Sequence, residues 1–77
     1  MTMVYSVLLK QKIRVYGDHF YVELRRYRSD YYQLVDVYKR CEHDRGCPYQ
    51  TIHDAIRGFE SATGKQVTDE LKSFLIE

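Results

Sequence analysis

The chain has little of several residue types whose abundance identifies a class of protein. Its 77 residues include no tryptophan, one proline, four glycines and two cysteines. Two cysteines are too few for the disulfide framework of a small secreted domain. The low proline and glycine content argues against a disordered or fibrous chain. No uninterrupted apolar run is longer than Val7 to Leu9, whereas a membrane span needs about 20 residues. We therefore expect no membrane-spanning segment.

The rest of the composition is typical of a folded domain. Hydrophobic residues make up 44% of the chain and charged residues 30%, with a mean hydropathy of -0.54. A chain of this length buries only about 60% of its unfolded surface. We therefore predict one small globular domain over residues 1–77, with one modest core and no deep substrate cleft. The first residues lack a basic start and a cleavage site for secretion, so we expect a cytoplasmic protein with reduced thiols.

Residues 13–24 alternate between apolar and polar side chains, the period of a half-buried strand. Gly17-Asp18 interrupts them with a pair suited to a type II′ turn. The pattern predicts an antiparallel hairpin over residues 4–28. The matching register pairs Val15 with Phe20, Ile13 with Val22, Arg14 with Tyr21 and Lys12 with Glu23. Residues 4–9 are apolar on both faces, so they need a third strand or a partner.

Helical spacing follows the hairpin. Asp30 with Gln33 forms a capping box, and an apolar stripe at steps of three and four residues follows. These features predict a helix over residues 30–45, which Gly46 and Pro48 would end. The stripe consists of Tyr31, Leu34, Tyr38 and Cys41, widened by Val35, and the solvent face would carry Gln33, Asp36, Lys39 and Arg40.

Thr51 with Asp54 forms a second capping box, which predicts a helix over residues 51–63 that ends at Gly64. Residues 68–76 fit two structures: a short helix capped by Thr68, or an edge strand beside residues 4–8. The predicted fold is α+β, in which the N-terminal hairpin packs on two main helices in the order ββαα, followed by the short C-terminal element.

One segment collects residue types that bind zinc: Cys41, His43, Cys47 and His53. Their spacing is not a common zinc pattern, and on a helix Cys41 and His43 would lie about 200° apart. A disulfide between Cys41 and Cys47 and two ordinary thiols are the alternatives. We expect the ordinary thiols, no metal and no cofactor. We also expect no enzymatic activity, because the chain has no phosphate loop, general-base pair or nucleophile motif.

The polar face of the hairpin interleaves basic and aromatic residues. We predict that it binds a partner through Lys12, Arg14, Tyr16, Tyr21, Arg25, Tyr27 and Arg28. Tyrosine and arginine are enriched in protein interfaces, but cations and stacking rings also suit nucleic acid. Residues 10–28 carry six basic and two acidic side chains, whereas residues 46–77 carry three and five.

This uneven charge favours an oriented encounter with an acidic protein surface over uniform coating of nucleic acid. Our leading hypothesis is a small intracellular binding module that acts through protein–protein interaction. Such short chains are often accessory, inhibitor or regulatory proteins of a bacterium or phage. The alternative is a nucleic-acid-binding protein that uses the same face. A homodimer joined through residues 4–9 would supply the neighbour that this apolar segment needs.

Overall fold

Four strands come first along the chain and two helices follow. The computed structural model describes residues 4–76. The strands form one antiparallel sheet in the order β1-β2-β3-β4. The predicted α+β class and the order of strands before helices are confirmed. The elements are β1 (Ser6–Val15), β2 (Asp18–Arg28), β3 (Tyr31–Tyr38), β4 (Cys41–Asp44), α1 (Ile52–Thr63) and α2 (Asp69–Ile76).

β1 and β2 form a hairpin whose register differs by two residues from the predicted one. Tyr16 and Gly17 both have positive φ, 51° and 87°, which is the requirement of a two-residue type I′ turn. The turn is therefore one residue earlier than Gly17-Asp18, and Ile13 pairs with Phe20. Because the difference is two residues, every side chain keeps its predicted face.

The predicted helix over residues 30–45 is wrong, because this segment forms β3 and β4. Ser29 and Asp30 make the turn between β2 and β3 instead of capping a helix. Four consecutive residues of β3, from Tyr32 to Val35, are buried, so both faces of the strand are covered at that point. Tyrosine and valine dominate β3, and these residues favour a strand within a sheet. The hairpin also needs a third strand, since two strands alone are marginally stable in water.

A bulge in β1 accounts for part of the apolar segment 4–9. The β1–β2 register shifts between Val7 and Leu9, and this irregularity lets both Leu8 and Leu9 pack against the core. Val4 and Val7 remain outside it, 87% and 46% exposed. The bulge therefore partly buries the two leucines and leaves two valines at the surface.

The core lies between one face of the sheet and α1. Thr51 caps α1 by accepting a hydrogen bond from the Asp54 N–H, and Gly64 ends the helix in the left-handed conformation, as the sequence predicts. Of the two structures considered for residues 68–76, the helix is the one that forms. Neither helix in residues 4–76 is long and apolar enough to cross a membrane. The buried core cluster is Val22, Leu24, Tyr32, Leu34, Ala55, Ile56, Phe59 and Val67.

Candidate functional site

Two hairpin turns meet at one end of the sheet. The β1–β2 hairpin continues past its last pairing with β3, in which Tyr21 lies opposite Val37. The β3–β4 turn consists of Lys39 and Arg40 and directly follows Tyr38, which is the residue after Val37. Since neighbouring strands are antiparallel, both turns lie at the same end of the sheet.

This end carries four exposed cationic side chains, and we call them the basic end: Lys12, Arg14, Lys39 and Arg40. Within residues 4–76 none of the four forms an ion pair. Two carboxylates of β3 and β4 are already engaged, since Asp36 binds Arg45 at 2.8 Å and Glu42 binds Arg25 at 2.9 Å. Asp18, exposed beside the β1–β2 turn, is a single carboxylate against the four cations. The basic end therefore presents positive charge that the surrounding chain leaves largely uncompensated.

Tyrosines accompany the cations of the basic end. Tyr16 stands fully exposed in the β1–β2 turn, and Tyr21 is 37% exposed. The Lys39 ammonium lies 5.2 Å from the centre of the Tyr38 ring. Tyrosine offers a large apolar area and a hydroxyl at little entropic cost, which is why binding hot spots are rich in it.

The sequence-predicted binding residues separate into two groups in the structure. Lys12, Arg14, Tyr16 and Tyr21 lie together at or beside the basic end. Arg25, Tyr27 and Arg28 lie toward the opposite end of β2.

The second group is occupied by contacts within the chain. Arg28 binds Asp30 at 3.2 Å and lies over the Tyr31 ring. Tyr27 stacks between Tyr5 and Tyr31, with ring centres 5.4 and 5.7 Å apart. Tyr27 is therefore packed within the chain, whereas Arg28 and Asp30 form a surface ion pair, 72% and 71% exposed.

Arg25 is the centre of an ion-pair network on the sheet face opposite the helices. Its side chain is 4% exposed and lies 2.8 Å from Glu23 and 2.9 Å from Glu42. The Tyr5 ring covers the guanidinium at 4.1 Å. Because this guanidinium is buried and doubly paired, it is not available to a partner.

The ion-pair network shifts the pKa values of two of its members, Arg25 and Glu42. Burial acts to lower the pKa of Arg25, but hydrogen bonds to Glu42, Tyr27 and Glu23 outweigh it and raise the pKa above its ordinary value. The hydrogen bond from Arg25, reinforced by its charge, lowers the pKa of Glu42 below 4.5. Arg25 therefore stays charged, and its ion pair with Glu42 links β2 to β4 across β3.

Sequence reasoning missed Lys39 and Arg40, because the predicted helix 30–45 placed them on its solvent face. Their turn contains no glycine, asparagine or aspartate, the residues by which tight turns are recognised. Lys39 adopts a φ of 52°, a left-handed conformation uncommon for lysine. The only local signal is the strand-like run of tyrosine and valine that precedes them.

The cysteine and histidine set does not form a metal centre in the part of the chain that the structure describes. No three side chains of His, Cys, Asp or Glu in residues 4–76 are grouped so that they could hold a metal ion. Cys41 and Cys47 are both exposed and unbonded, so the disulfide alternative does not occur in this structure.

No protein-family model matches the chain, and no curated protein or solved structure matches it.

Proposed function

We propose that the protein is a small non-enzymatic binding module that places its basic end on an acidic surface of a partner protein. The observation that carries this proposal is the convergence of Lys12, Arg14, Lys39 and Arg40 on one end of the sheet without internal ion pairs. Complementary charge steers the encounter and fixes its orientation. Tyr16 and Tyr21 then supply the apolar contact area. A role as an accessory or regulatory protein in the cytoplasm is part of this proposal.

A protein partner is favoured over nucleic acid by how far the positive charge extends. Proteins that bind a nucleic-acid backbone usually place a long stripe of cations along the phosphates and are strongly basic. Here the chain carries a net charge of +1, and further along the same face Lys10 and Arg25 are paired with Glu23. On this face of the sheet the cations without an ion pair in residues 4–76 thus lie at one end, which suits a compact acidic patch.

Charge reversals at the basic end test the proposal. Immobilised protein captures partners from its native host, with and without nuclease, and the affinity of each identified partner is then measured. The test variants are Lys12→Glu, Arg14→Glu, Lys39→Glu and Arg40→Glu. Lys65→Glu is the matched control, because Lys65 is also exposed and without an ion pair in residues 4–76, but lies between α1 and α2.

We expect each test variant to weaken binding about tenfold, equivalent to about 1.4 kcal/mol, while Lys65→Glu binds like the unmodified protein. Binding should also weaken as salt increases. Equal losses in all five variants would contradict the proposal, since net charge alone would then explain binding. Capture that disappears with nuclease, together with direct binding to DNA or RNA oligonucleotides, would replace it with the nucleic-acid alternative.

A further inference from the structure

The outer edge of β1 is the long open edge of the sheet. β1 and β4 are the two edge strands. β4 has four residues, two of them acidic, whereas β1 has ten. Short strands and charged side chains protect an edge from pairing with another chain. β4 has both protections. β1 is uncharged only from Ser6 to Leu9, where its bulge lies, and it carries charge from Lys10 onward, at Lys10, Lys12 and Arg14.

The first half of β1 lies beside exposed apolar side chains of α2. Leu8 lines a surface cleft together with Arg26, Phe74 and Leu75, so α2 lies beneath this part of the edge strand. Phe74 is 76% exposed and Leu71 46% exposed. Residues 4–9 and α2 therefore form a two-layer apolar edge, with a strand above a helix.

We propose that this two-layer edge binds a second copy of the chain, so that the two β1 strands pair antiparallel around a two-fold axis within residues 4–9. A partner must offer a strand and an apolar helix in the same relative position, and a second copy does so by symmetry. The two Phe74 side chains would then approach each other beneath the joined sheet.

The charge along β1 selects this register. When two copies pair antiparallel around residues 4–9, each copy's Lys10, Lys12 and Arg14 extend past the uncharged residues of the other strand. A pairing centred on residues 10–14 would instead place like charges opposite each other, which is destabilising. The cations thus disfavour the alternative register and leave the uncharged residues 4–9 as the contact.

Sedimentation equilibrium under reducing conditions tests the dimer, since reduction prevents disulfides between the exposed Cys41 and Cys47. The unmodified protein should approach twice its mass of 9.3 kDa as its concentration increases. Val7→Glu and Phe74→Glu should each remain monomeric at the same concentrations. Val15→Glu is the matched control, because Val15 is 43% exposed on the same strand, against 46% for Val7.

A monomer at every concentration would overturn the proposal. So would a dimer that persists in both Val7→Glu and Phe74→Glu, or one that Val15→Glu also dissociates. Circular dichroism establishes that each variant is folded, and Phe74→Glu keeps the test decisive if Val7→Glu does not fold. The inference is independent of the proposed function, because the Lys12→Glu and Lys39→Glu variants should still dimerise.

Discussion

Replacing Arg25 with methionine is expected to destabilise the fold by about 3 kcal/mol. The guanidinium is 4% exposed and contacts Glu23 at 2.8 Å, so its removal leaves a carboxylate that is itself 9% exposed. Removing one partner of a buried ion pair costs about 3–5 kcal/mol. The lower end applies, because Lys10 remains 3.6 Å from Glu23 and Glu42 is half exposed and regains water.

Urea unfolding followed by circular dichroism measures this loss, and an unchanged m-value would show that the unfolding transition is comparable. The controls are Glu23→Met alone and the double variant Glu23→Met/Arg25→Met. The double variant removes both buried charges. It should recover most of the lost stability, since apolar residues of similar size often replace a buried pair without cost. A loss below about 1 kcal/mol for Arg25→Met, or a double variant whose loss equals the sum of the single losses, would refute this reasoning.

Two further predictions concern the helices. Gly58→Ala should lower the melting temperature despite alanine's greater helix propensity, because the added methyl would overlap the Tyr49 ring. Such overpacking costs about 1–3 kcal/mol. A higher melting temperature would contradict this prediction. Glu60 accepts a hydrogen bond from the Val67 N–H, which lowers its pKa below 4.5, so its carboxylate stabilises the fold above that pH and this contribution is lost as the pH falls. Glu60→Gln should therefore lose less stability than the unmodified protein between about pH 5 and pH 3, and parallel stability curves would contradict the assignment.

The elements that follow from local signals agree with the structure. The alternation of residues 13–24 assigns the side chains in the central part of the β1–β2 hairpin to their observed faces. The start of α1 after Thr51 and its end at Gly64 follow from capping chemistry that needs only adjacent residues. The predicted turn at Gly17-Asp18 is wrong, because Tyr16-Gly17 gives the same faces with the register moved by two residues, and the alternation alone does not distinguish the two turns.

Residues 31–38 show where local signals are insufficient. Leu34 and Tyr38 satisfy a helical spacing with Tyr31, but they equally satisfy an alternation with Tyr32 and Asp36. Asp36 makes the alternation look unfavourable, because it interrupts an apolar face. In the folded protein Asp36 is compensated by Arg45, nine residues away. A strand is therefore favoured by a contact between two elements, which the segment alone does not reveal.

The same reason limits what sequence predicts about the site. Lys12 and Arg14 belong to the hairpin and were predicted from it. Lys39 and Arg40 join them only because β3 and β4 form a second hairpin whose turn lies at the same end of the sheet. Arg25 was assigned to the same polar face of the hairpin as Arg14. Only the positions of Glu23 and Glu42 in the fold show that its guanidinium is already hydrogen-bonded within the chain.

The two proposals together determine how the basic ends would be arranged. The sheet has about 3.3 Å per residue along a strand, so Tyr16 lies roughly 30 Å from a two-fold axis near Val7. Antiparallel pairing of β1 would direct the two turns in opposite directions, about 60 Å apart. A two-fold axis perpendicular to the sheet leaves both open faces on the same side. A compact partner would then contact one basic end at a time, so the dimer would offer two independent binding sites and would gain avidity only for a partner that is itself extended or multimeric.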